Sequence, residues 1–248
     1  MPGPEQPPRR TGDAIAIDGG YQHRALTEGP AVQRFWHRSK LMLLDWMFDV
    51  RPGDRVLDVG FGSGVFADAM AVRGAQVLGV DANPEAVAYA QRTFGRPGLE
   101  FRLGLLDELQ LPAESVDKAV CLEIVEHVYL EQVRQLLQAL RAVLVPGGQV
   151  VLTTPNYRGL WPLVEWALDR FSGAATMDAE QHVTHFNRRL LRQVSEDSGF
   201  EVQALRTYST FAPFAAGVST ALAERLERIE RAVDLPFGNL LVGVLRKR

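Results

Sequence analysis

Residues 55–64 read RVLDVGFGSG: an apolar strand, Val56 to Val59, runs straight into Gly60, Gly62 and Gly64. Glycine lets a chain turn sharply and approach a ligand with no Cβ atom in the way. Beyond it a second apolar run, QVLGVD, ends at Asp81. A carboxylate at the end of that second strand can accept hydrogen bonds from ribose hydroxyls. Together these features cradle a nucleoside, and the glycine spacing says which kind. A dinucleotide turn uses G-x-G-x-x-G to set a helix N-terminus against a pyrophosphate. Here the pattern is G-x-G-x-G, with Val65 where that third glycine would stand. The spacing disfavours a nicotinamide dehydrogenase.

Outward from this turn, strands and helices alternate. Strands are predicted at 56–59, 76–80, 99–103, 116–122 and 149–153, with helices at 64–73, 84–94 and 130–143 between them. Pro84 suits the first turn of its helix. Such alternation predicts an α/β fold, a parallel sheet covered by helices on both faces. Upstream, Phe35, Leu41, Leu44, Met47 and Phe48 recur at helical spacing over 31–48, and Arg51-Pro-Gly-Asp54 ends that helix. Downstream, a helix at 188–198, a strand at 200–206, a helix near 220–233 and a strand at 239–245 follow. On the helix near 220–233, Glu224–Arg228 and Glu227–Arg231 have the spacing of i,i+4 ion pairs.

Composition removes several classes. The chain has 248 residues, 46% hydrophobic and 23% charged, enough for a sizeable core and no push toward disorder. A net charge of −3 gives no global field for wrapping nucleic acid. One cysteine, Cys121, excludes an internal disulfide framework. No apolar stretch approaches the roughly 18 residues a membrane span needs. The Pro-rich first 20 residues read as a flexible arm without the apolar core of a secretory signal. A cytoplasmic protein is expected.

The string RVLDVGFGSG resembles motif I of the class I S-adenosylmethionine-dependent methyltransferases. The likeness continues through GVDANP at 79–84, GLLDELQLP at 104–112 and VDKAVCLEIVEHV at 116–128, covering residues 55–155 closely. It implies a Rossmann-like, seven-stranded, mostly parallel sheet whose last strand is antiparallel and slots between earlier ones. It also implies a single domain over 21–248, with helical lid segments near 21–50, 157–186 and 208–236. In such a domain Asp58 and Gly60, Gly62 and Gly64 hold the methionine end of the cofactor. Asp81 takes the ribose, Ala82 lies beside the adenine, Asp107 accepts from the adenine amino group, and Leu106 or Glu108 offers a backbone N–H to the ring. A backbone carbonyl at Cys121 or Leu122 accepts from the cofactor ammonium.

The string Glu123-Ile-Val-Glu126-His127 adds chemistry. It is similar to the metal-ligand motif of ubiquinone-pathway O-methyltransferases and of enzymes that methylate the terminal ribose 2′-hydroxyl of small RNAs. In those families a further histidine follows the fifth strand, where His182 falls, with His185 a nearby competitor. Glu123, Glu126, His127 and His182 are thus a candidate divalent-cation set. Many relatives carry this string without a metal, and the metal-free reading is preferred. His127 is then the candidate base or acceptor-orienting group. Asn156 and Tyr157 should point to the site, and Trp36, Trp161, Trp166 and Phe171 offer aromatic walls for an acceptor. The expected acceptor is a small molecule, an oxygen of an aromatic or lipid-like compound. RNA is the alternative, and a cofactor-binding protein without catalysis a third reading. His23 and His37 have no assigned role.

Overall fold

The computed structural model describes residues 18–164, 166 and 182–248. Most of the expected N-terminal arm and the middle of the 157–186 segment, with Leu168 and Phe171, lie outside them. Among the described residues the chain runs α1 (Tyr21–Thr27), α2 (Ala31–Leu41), α3 (Leu43–Trp46), β1 (Arg55–Val59), α4 (Val65–Val72), β2 (Gln76–Asp81) and α5 (Pro84–Thr93). Then come β3 (Leu99–Leu103), β4 (Val116–Leu122), a 3-10 turn (Val125–His127), α6 (Leu130–Val143) and β5 (Leu144–Pro155). The chain closes with α7 (Arg188–Asp197), β6 (Phe200–Tyr208), α8 (Ala212–Ala215), α9 (Thr220–Val233) and β7 (Leu240–Lys247).

The strands form one seven-stranded sheet in the order β3-β2-β1-β4-β5-β7-β6. Pairings from β3 to β5 are parallel, and β7 lies antiparallel between β5 and β6. The order reverses between β1 and β4. In open α/β sheets a crevice opens at such a point, outside the carboxyl ends of the strands.

Alternate strand residues feed two cores, because successive side chains leave a strand on opposite faces. Val56, Val77, Val120 and Val151 pack under α3, α4 and α5, with Leu43, Phe66, Met70 and Val87. Leu57, Ala119, Val150 and Leu152 pack under α6 and α7, with Leu137, Leu140, Leu191 and Val194. Burying each such leucine contributes about 1.5–3 kcal/mol. A local signal starts α5 where expected. Asn83 caps α5, its side chain accepting from the N–H groups of Glu85 and Ala86, with Pro84 at the first turn.

Two expectations are corrected. The helix expected over 31–48 is broken at Met42, the junction of α2 and α3, which turns the second apolar stretch onto the sheet. On α9, Glu224 reaches across to Arg38 of α2 (3.2 Å), and Arg228 Nε donates to the Glu224 carbonyl instead of its carboxylate.

Candidate active site

Three cavities meet at Gly60, at the carboxyl ends of β1, β2 and β4. The largest is an open cleft of about 990 Å³, solvent-filled space included, lined by Asp81, Ala82, Leu106, Asp107, Ile124 and His127, among others. A second, of about 590 Å³, runs past Gly62, Ser63 and Glu123. A third, of about 480 Å³, lies between the sheet and the N-terminal helices, against Gln22, His37, Lys40, Asp58 and Leu122.

The glycine turn builds this junction. Gly60, Gly62 and Gly64 have φ of 71°, 56° and 82°, in the left-handed region that favours glycine. A Cβ on Gly60 would lie 2.6 Å from Ile124 Cγ1, so a side chain there would drive Ile124 toward the cleft it lines. Asp81 latches the turn: its carboxylate accepts from the Gly62 N–H (2.8 Å) and the Asn83 N–H (2.9 Å). Burial raises its pKa, and those N–H donors oppose the rise.

Asp58 is different. It is buried, and its Oδ2 has no hydrogen-bond partner among the described residues. Burial and then the charge of Asp81 push its pKa up to about 8. An unpartnered buried carboxyl is costly, so the site calls for a donor or a cation there. The same lobe holds Lys40, largely buried and 3.9 Å from Glu123, and His37, whose pKa burial lowers to about 3. Neither residue stands out in the sequence, because α2 reaches the lobe only through tertiary packing. Gln22 was missed for the same reason; from α1 its Oε1 accepts from the Ser63 N–H (3.2 Å).

On the other side of the cleft, the 3-10 turn places Glu126 and His127. The Glu126 carbonyl accepts from the N–H groups of Val183 (2.9 Å) and Thr184 (3.1 Å), which pins residues 182–184 beside the turn. His182 is thereby brought against His127, ring centroids 4.9 Å apart. Ligand atoms of Glu126, His127 and His182 all lie within 4.8 Å of one another. His182 Nδ1 is hydrogen-bonded to the Tyr157 hydroxyl (2.7 Å), and burial lowers its pKa to about 4. His185 lies outside the cluster, stacked on the Tyr157 ring at 4.0 Å.

Glu123 turns elsewhere. It holds a φ of 57°, unusual away from glycine, and accepts from Thr153 Oγ1 at 2.6 Å. Glu126 is fully buried, accepts from Thr154 Oγ1 (3.0 Å), and burial followed by the charge of Glu123 raises its pKa well above the usual range.

Other expected site residues fall differently. Asp107 is exposed at the rim of the large lobe, with Leu106 buried beneath it. Cys121 is buried inside β4, and Leu122 lines the cavity instead. Tyr157 does face the site, but Asn156 does not: its amide donates to the Gly238 carbonyl (2.9 Å), tying β5 to the approach of β7. Trp36 and Trp161 pack together at 5.6 Å, and Trp161 reaches His182 at 6.1 Å, so these two form an aromatic wall. Trp166 is exposed.

A sheet of this order, with a glycine turn and an acid at its switch point, is the class I S-adenosylmethionine-dependent methyltransferase fold. Comparison with known proteins agrees: residues 57–152 match the family described as a methyltransferase domain. This chain carries a class I S-adenosylmethionine-dependent methyltransferase domain. It is 30% identical over 175 residues to a Mycolicibacterium smegmatis protein named a probable S-adenosylmethionine-dependent methyltransferase, the match covering 71% of this chain and 63% of that one. It is 34% identical over 143 residues to the ubiquinone biosynthesis O-methyltransferase of Dechloromonas aromatica, covering 52% and 60%. The chain therefore spans less than two thirds of the length of these relatives. A chain of the complex between the Haloferax volcanii Trm112 methyltransferase activator and its methyltransferase superposes with a TM-score of 0.65 at 25% identity, covering 96% of this chain and 98% of that one.

Proposed function

We propose that this protein is an enzyme that moves the methyl group of S-adenosylmethionine to a small acceptor, an oxygen of an aromatic or lipid-like compound. One observation carries the reading: Asp81 and Asp107 line a single lobe that meets the orphaned Asp58 at Gly60. The residues fit the cofactor. When bound, it supplies an electrophilic methyl on a sulfonium sulfur. Asp81 holds the ribose hydroxyls through lone pairs left by its two N–H donors, with Ala82, Leu106 and Asp107 about the adenine. Asp58 and the Leu122 carbonyl take the ammonium, in place of the Cys121 carbonyl. Lys40, 3.9 Å from Glu123, would take the carboxylate.

Displacement at a sulfonium needs little covalent help, so orientation supplies much of the rate. The acceptor hydroxyl must also lose a proton. His127, at the junction of the cleft, accepts it, and His182 is fixed beside it by Tyr157. Segments 21–50 and 208–236 and the described part of 157–186 act as lids of one domain, with Trp36 and Trp161 confining the acceptor. A second reading adds a divalent cation, favoured by the convergence of Glu126, His127 and His182. Glu123, engaged by Thr153, stays out of that set.

The test is transfer from methyl-labelled cofactor to catechols, phenols, isoprenoid quinols and RNA, before and after dialysis against a chelator. The account expects labelled small molecules, loss of transfer in His127→Ala, and no effect of chelation. Label in RNA alone would replace the acceptor class, and activity restored only by added cation would favour the second reading.

A further inference from the structure

The solvent face of α9 has an unusual division of charge. Its three glutamates turn toward the protein or its flank. Glu224 pairs with Arg38, Glu227 is buried, and Glu230 is buried with its carboxylate accepting from the N–H groups of Thr210, Phe211 and Ala212. The outer face keeps Leu222, Arg225, Arg228, Ile229 and Val233, all exposed and carrying no acid. Their spacing of three and four residues places them on one stripe.

The residues that precede α9 in the chain also expose apolar side chains. Val218 is 86% exposed, and Phe211 and Phe214, flanking and within α8, are about half exposed. Phe211 packs against Phe237, whose carbonyl accepts from the Leu160 N–H (3.1 Å). The helical turn at 161–164 follows, presenting Leu163 outward while Trp161 packs on His182. Exposed apolar residues thus recur from α9 through Phe237 to Leu163, two residues along the chain from Trp161 of the aromatic wall. Exposed apolar residues gathered in this way mark an interaction face.

We propose that this face docks on an anionic lipid bilayer, its apolar side chains sunk at the acyl boundary and Arg225 and Arg228 against headgroup phosphates. Charge chooses this occupant over a second copy of the chain. In a two-fold pairing the face would meet itself, and the stripe carries no acid to pair its arginines across the interface. Docked this way, the lid would face the phase in which a lipid-like acceptor dissolves. The binding itself is read without turnover, so it stands or falls separately from the methyl-transfer reading.

The experiment is co-sedimentation of the full chain with vesicles of phosphatidylcholine alone and of phosphatidylcholine mixed with phosphatidylglycerol. Retention is expected on the anionic vesicles and should weaken as salt rises. Each arginine near such a surface changes partition by roughly fivefold. Arg225→Gln with Arg228→Gln should therefore lower it about 25-fold. Ile229→Asp should lower it through the apolar side, and all variants should keep the wild-type melting temperature to within a few degrees. The proposal is overturned by absence of retention at low salt, by equal retention on both vesicle types, or by retention indifferent to the arginine pair. Concentration-dependent dimers abolished by Ile229→Asp would overturn it too, assigning the face to self-association.

Discussion

If Asp58 receives the cofactor ammonium as proposed, cofactor binding releases a proton. Its pKa in the free protein is about 8, because the carboxyl is buried, one oxygen lacks a partner, and Asp81 is nearby. An acid with that pKa is ionised to roughly 1% at pH 6 and roughly 24% at pH 7.5. If the methionine-end ammonium binds only the ionised form, apparent affinity scales with that fraction. The dissociation constant of S-adenosylhomocysteine should then fall about 25-fold between those two pH values, about 1.9 kcal/mol. Isothermal titration in buffers of different ionisation enthalpy should count close to one proton released per ligand at the lower pH. In Asp58→Asn the affinity should be weak and nearly flat with pH. A wild-type affinity that does not change with pH, or proton uptake on binding, would refute the pairing of Asp58 with the ammonium.

Three further outcomes follow from other contacts. Gly60→Ala forces a side chain into left-handed backbone beside Ile124, costing about 1–2 kcal/mol in backbone strain and at least tenfold in cofactor affinity; an unchanged melting temperature and affinity would contradict the crowding. Lys40→Met should raise KM for the cofactor about tenfold with little change in kcat, a difference of about 1.4 kcal/mol in ground-state binding, whereas a drop in kcat alone would remove Lys40 from the carboxylate. Glu227 has its pKa raised to about 7, by burial first, from an ordinary 4.5. Its unfolded form ionises first, so stability falls as pH rises from 4.5 through 7 and is level above. Glu227→Gln should stabilise the fold at pH 8 by up to about 3 kcal/mol and have much less effect at pH 4; equal gains at both pH values would argue against a buried charge.

Much of the sheet was legible because its signals are local. The glycine turn, Pro84 at the first turn of α5 and the apolar periodicity of α6 each act within a few residues, and the strands they bound were found nearly in place. The likeness to the methyltransferase family supplied what periodicity cannot, the insertion of β7 between β5 and β6. What stayed hidden depends on elements that meet only after folding. Gln22, His37 and Lys40 reach the glycine turn because α1 and α2 fold back over it, and nothing in their own segments marks them. Asn156 sits at a strand end aimed at the cleft, yet the chain returning through residues 236–238 offers it carbonyls and takes it away from the site. Glu224 has an i+4 arginine, but Arg38 across the helix pair provides its ion pair.

The central claim is that the cleft at Gly60 is a cofactor site bounded by Asp58, Asp81 and Asp107. A crystal structure grown with S-adenosylhomocysteine tests it most directly. Ribose hydroxyls on the Asp81 carboxylate, the adenine beside Leu106 and Asp107, and the ammonium on Asp58 are expected. Ligand density elsewhere, with Asp81 still bonded only to Gly62 and Asn83, would contradict it.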